Sequence, residues 1–136
     1  MEKQRLQGSK YGSTVGKNDC DDVGFAKACL VSGILDFNEF KQWIYHVIEI
    51  QKDVPLYFWD ILDIENKFDF KPLSVMGFNP YWKHTKIEDY ALEGIGYKRR
   101  DDFVSDAVPR EKALKALEEN PHIERRFREL FPFIDW

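Results

Sequence analysis

The chain has 136 residues, 43% hydrophobic and 32% charged, and its 20 Lys and Arg against 24 Asp and Glu give a net charge of −4. That length suits one domain burying about two-thirds of its unfolded surface, and that mix excludes both a cysteine-stapled miniature scaffold and a disordered chain. The mild acidity disfavours a sequence-independent coat on nucleic acid.

Residues 1–19 carry glycines, serines and lysines without helical or alternating periodicity, which predicts a flexible or loosely docked arm ahead of a single helical domain over 20–136. The start is polar, and no uncharged apolar run approaches the ~18 residues needed to cross a bilayer. The expectation is a cytoplasmic protein without membrane attachment, with Cys20 and Cys29 as free thiols.

Asp21 or Asp22 caps a first helix through Ser32, which Gly33 ends as a left-handed terminator. Asp36-Phe-Asn-Glu39 then has the form of a capping box, and Phe37, Phe40, Trp43, Ile44, Val47 and Ile48 recur at helical spacing on one inward arc. Asp53-Val-Pro55 starts a third helix that runs to about Ile64. Only Asp60 and Asp63 are charged between Val54 and Ile64, so this helix is expected to cross the middle of the domain. Its polar edge places Leu56 between Asp53, Asp60 and Asp63.

Residues 65–83, with Pro72, Gly77 and Asn79-Pro80, read as loops around several aromatic side chains. Thr85-Lys-Ile-Glu88 is a second capping box, opening a helix with Ile87, Tyr90, Ala91 and Ile95 inward and Gly94 and Gly96 weakening its end. Pro109 starts a fifth helix with Ala113, Leu114 and Leu117 inward. Asn120-Pro121 separates it from a sixth, striped by Ile123, Phe127, Leu130 and Phe131 and ended by Pro132. The apolar tail to Trp136 should fold back. The fold class is therefore all-α with about six helices; the alternative is α+β, with a small edge hairpin from the arm or from residues 97–104.

No motif for chemistry is complete. Gly12-Ser-Thr-Val-Gly-Lys17 has one residue too few between its glycines for a phosphate loop, and Asn18 replaces the magnesium-binding hydroxyl. Asp63-Ile-Glu-Asn-Lys-Phe-Asp69 lacks the pivotal Gly and terminal Glu of a calcium loop. His46, His84 and His122 lie in no zinc spacing, and no Gly-x-Ser-x-Gly elbow is present. No metal or cofactor is implied. Lys98-Arg-Arg100 and Arg125-Arg-Phe-Arg128 have acids beside them, so nucleic acid is an unlikely partner.

Charge distribution says more. Residues 18–65 hold ten acids against three bases, a local charge of −7, whereas residues 66–136 hold thirteen of each. The first three helices should present an acidic face suited to a basic protein partner, with an apolar anchor supplying residence time.

The segments Asp53-Val-Pro-Leu-Tyr-Phe-Trp-Asp-Ile-Leu-Asp63 and Ala116 to Phe133 resemble those of small bacterial immunity proteins from polymorphic-toxin and contact-dependent growth inhibition systems. The resemblance implies neutralisation of a cognate toxin domain, often a nuclease, by binding without catalysis; it transfers no individual residue. The surface expected to do so is Leu56 within Asp53, Asp60 and Asp63, extended by Tyr57 and Glu65, because carboxylates imitate the phosphates a nuclease cleft attracts. The alternatives are a small cytosolic enzyme whose site has no sequence signature, or a regulatory protein associated with nucleic acid.

Overall fold

The computed structural model describes residues 15–16, 19–51 and 53–136. Among them the fold is all-α. Its helices are α1 (Asp21–Val31), α2 (Phe37–Ile50), α3 (Tyr57–Leu62), α4 (Pro72–Met76), α5 (Lys86–Arg99), α6 (Arg110–Glu119) and α7 (Pro121–Leu130), with a 3-10 turn at Lys67–Asp69. The described residues contain no strand: α5 runs through Arg99 and turns fill residues 101–108, so no hairpin forms at 97–104, and most of the arm lies outside the described residues. Where the sequence suggests one body over 20–136, contacts gather into two units. One comprises residues to Lys27 with Phe37–Trp82, the other Ala28–Asp36 with Lys83–Trp136, so α1 contributes its first turns to one and its last turn to the other.

The first unit is built on aromatic side chains. The amphipathic period of α2 does what it predicts: Phe37, Phe40, Trp43, Ile44 and Val47 are buried, while Ile48 is only partly so. Rings then follow one another through the core, Phe37 to Phe70 at 6.4 Å, Phe70 to Phe40 at 5.5 Å, Phe40 to Trp43 at 5.9 Å and Trp43 to Phe58 of α3 at 6.0 Å. Such offset and tilted pairs contribute about 0.5–1.5 kcal/mol each beyond the area they bury. The start of α1 closes on Tyr81-Trp82, with Phe25 edge-on to Trp82 at 5.0 Å. A Cβ on Gly24 would lie 2.2 Å from the Tyr81 carbonyl carbon, so only glycine allows that approach. The stretch expected as loops holds the 3-10 turn and α4, which Gly77 ends at φ 84°.

In the second unit α5 is the central helix, with Ala91 to Tyr97 all buried and α6 and α7 packed against it. Its start is the capping box expected: the Thr85 hydroxyl accepts from the Glu88 N–H at 3.2 Å, and the Glu88 carboxylate accepts from the Thr85 N–H at 2.9 Å. The bond from His122, 2.6 Å away, and that from Thr85 hold the Glu88 carboxyl below its usual range. Ile87, expected inward, is substantially exposed on that first turn. Gly94 and Gly96 do not weaken a helix end; α5 passes straight through both, and each marks a close approach. A Cβ on Gly94 would meet the Ala113 carbonyl oxygen of α6 at 2.6 Å, and one on Gly96 would meet the Phe103 ring at 2.5 Å. The tail folds back as expected, with Trp136 edge-on to Phe127 at 5.6 Å and beneath the Arg128 guanidinium at 3.9 Å.

Because backbone atoms, which cannot rotate away, oppose the missing Cβ at Gly24 and Gly94, Gly24→Ala and Gly94→Ala should each destabilise the protein by about 1–3 kcal/mol. The urea midpoint of each variant measures this, and an unchanged midpoint would contradict the close approaches.

Candidate functional site

Helix α3 has six residues, too few to persist in water on its own helix-forming tendency. Packing must therefore hold it, and packing chooses its face. Tyr57, Phe58 and Ile61 are buried. Phe58 meets Trp43, and Tyr57 lies between Phe58 at 5.2 Å and Phe78 at 5.9 Å. The Tyr57 hydroxyl donates to the Val15 carbonyl, and burial pushes that phenol well above its usual range. Tyr57 is thus an internal strut and does not extend the partner surface as the sequence suggests, because its position on the wheel falls beside Phe58 and Ile61.

The opposite side faces water. Leu56 and Asp63, the residues bounding α3, both take right-handed helical dihedrals, so helical geometry extends over 56–63. In that geometry Leu56, Trp59, Asp60 and Asp63 stand at i, i+3, i+4 and i+7 and form one stripe. All four are exposed, Leu56 to 83% and Trp59 to 49%. Asp53 before the helix and Glu65 after it are exposed as well. Residues 53–65 contain four carboxylates and no base. Thus Asp53, Leu56, Asp60, Asp63 and Glu65 are all accessible, and Asp60 and Asp63 share the stripe of Leu56.

Two expectations change here. The third helix is shorter than the span to Ile64, and it does not cross the interior with apolar contacts all round; Leu56 and Trp59 stay in water. Trp59 is the residue that sequence reading missed. Its signal was present, three residues after Leu56 and one before Asp60, but an apolar helix without an evident polar face leaves such a tryptophan looking internal. The broad acidic face also narrows. Asp22 is buried in α1, and Asp36, in the other unit, lies 3.9 Å from Arg100. What stays concentrated is the set around α3.

The second unit carries an open groove of about 570 Å³ floored by Leu114, Leu117 and Pro121. Its rim is ion-paired: Glu124 accepts from Lys98 at 2.9 Å and from Arg128 at 3.0 Å. Burial alone would raise the Glu124 carboxyl, but these two cations outweigh it and hold the group below its usual range. The rim thus holds one carboxylate shared between two cations. Cys29, the thiol of this unit, is buried, and desolvation pushes it well away from the reactive thiolate form. Among the described residues no group of three His, Cys, Asp or Glu side chains is arranged to hold a metal ion. Most of the Gly12 to Lys17 run lies outside the described residues. No helix among the described residues is long and apolar enough to cross a membrane.

No protein-family model, curated protein or solved structure matches this chain.

The division between strut and stripe has a direct consequence for stability. Leu56→Ala removes a side chain already in water and should change the unfolding free energy by less than about 0.5 kcal/mol, whereas Ile61→Ala should cost about 2–5 kcal/mol. Chemical denaturation of the two variants measures the difference; equal losses would mean that the wrong face of α3 is outermost.

Proposed function

We propose that this protein is an immunity-type inhibitor, which binds and neutralises a cognate basic toxin domain of the nuclease class in the cytoplasm, with no chemistry of its own. The observation that carries this reading is Leu56, 83% exposed on the stripe that holds Trp59, Asp60 and Asp63. Keeping a leucine and a tryptophan together in water forgoes the burial that would otherwise stabilise the fold; burying one such side chain is worth about 1.5–3 kcal/mol. A partner that covers them recovers that energy at association.

The flanking charges favour a cationic partner. Asp53, Asp60, Asp63 and Glu65 repel the phosphates of nucleic acid and attract a cationic protein surface. A cleft that binds phosphates is such a surface, and solvated carboxylates steer the encounter while the apolar pair retains it. The ion-paired rim of the groove in the second unit offers no comparable free charge of one sign. The resemblance of the α3 and α7 segments to immunity proteins points the same way.

The test uses the C-terminal domain of the protein encoded immediately upstream. The wild-type chain should co-purify with that domain and protect cells that express it. Asp60→Lys with Asp63→Lys should weaken binding about 100-fold, some 2.7 kcal/mol, and Leu56→Ala about 30-fold. Association should slow as salt is raised. Unchanged affinity in a double variant with an intact helical circular-dichroism spectrum rejects the surface. Absence of both binding and protection by the wild-type chain rejects the function.

A further inference from the structure

In the second unit, α5 carries one acidic residue within its run of seven buried positions, Glu93, only 6% exposed. Its Oε1 accepts a hydrogen bond from the Ser105 hydroxyl at 2.6 Å. That hydroxyl also accepts from the Ala107 N–H at 3.0 Å and the Val108 N–H at 3.3 Å. With both lone pairs engaged, its single proton is directed at Glu93. The Ser32 hydroxyl, just beyond α1, bonds the same carboxyl. Oε2 is buried with no partner among the described residues. The charged groups facing Glu93 are Asp89, one turn earlier on α5, and Asp106, in the segment that Ser105 anchors; both are acids. Arg99 of α5 and Arg126 of α7 act on the neighbouring Cys29 thiol, and among the described residues no cation pairs with Glu93.

We propose that Glu93 and Ser105 form a latch on the segment joining α5 to α6, closed while the carboxyl carries its proton and loosened when it ionises. A protonated carboxyl is neutral and can stay in this desolvated position. An ionised one has an oxygen without a donor and two carboxylates for neighbours, and it gains water only by leaving the serine. Ser105 then loses the acceptor that orients its hydroxyl, and the Ala107 and Val108 amides lose their fixed cap. The segment keeps a second tie that does not titrate with Glu93: the Tyr97 hydroxyl donates to the Val108 carbonyl at 2.9 Å and accepts from the Ser105 N–H at 3.1 Å. Loosening is therefore local opening around 105–108 and leaves α5 and α6 in place.

Burial is the main cause that raises the Glu93 carboxyl above its usual range, with Asp89 and Asp106 adding to it and the Ser105 and Ser32 bonds opposing. For a group raised on folding, its stabilising contribution is complete below the ordinary carboxyl range and is lost as pH rises through the raised value. The latch thus closes in acid and loosens as pH rises through the raised value.

Hydrogen-exchange protection factors of the Ala107 and Val108 amides, measured across pH on the full chain, test this. Protection in the wild type should fall by up to about tenfold per pH unit between the ordinary glutamate range and the raised Glu93 midpoint, where opening releases one proton, and level off above it. In Glu93→Gln, which keeps an acceptor but cannot ionise, it should stay flat, with amides of α7 serving as the reference in both proteins. Should that variant not fold, carbon-13 titration of the wild type decides: the Glu93 carboxyl and the Ala107 amide must share one midpoint above the ordinary glutamate range. Protection that is independent of pH in the wild type, an equal fall in Glu93→Gln, or separate midpoints would each overturn the latch.

Discussion

The contact between Trp43 of α2 and Phe58 of α3 is the constraint from which the candidate surface follows. A helix of six residues has almost no stability of its own, so its orientation belongs to whatever it packs against. Phe58 meets the ring series of α2, Tyr57 reaches Phe78 and the Val15 carbonyl, and Ile61 completes the buried side. With those three fixed inside, Leu56, Trp59, Asp60 and Asp63 have only the solvent side left. Acidity and exposed apolar area thus coincide through the geometry of one helix, and that coincidence is the basis of the proposed docking surface.

The second unit is organised by a different device, close approach at glycine. Gly94 brings the backbone of α6 against α5, and Gly96 receives the Phe103 ring. The segment between these helices is drawn onto α5 as a result, and its polar groups find partners there: Ser105 on Glu93, Val108 on Tyr97. Burying an acid without a cation is costly unless it keeps its proton. The close packing that makes α5 central therefore also desolvates Glu93 and raises its carboxyl above the usual range.

Much of this was legible in the residues. The period of α2, the Thr85–Glu88 capping box, Pro121 at the start of α7 and Gly33 past the end of α1 are local signals, each read from neighbours within one or two turns, and each stands where it was expected. The less legible parts depend on partners distant in the chain. Tyr57 differs from Trp59 in burial although both are aromatic and two residues apart, because Phe78 and Val15 cover one and nothing comparable among the described residues covers the other. Gly94 and Gly96 look like helix breakers until Ala113 and Phe103 are seen against them.

By itself the sequence determined an all-α fold, most helix positions and the concentration of acid before residue 66. Those properties follow from hydrophobic period, capping and charge, which act over a few residues. Only the tertiary structure decided which side of α3 meets water, that Tyr57 is a strut, and that Glu93 has no counter-ion among the described residues. A short helix apolar on nearly every side has no dominant face of its own, and a buried acid is recognised only by what surrounds it, so both were settled by packing between segments far apart in the chain.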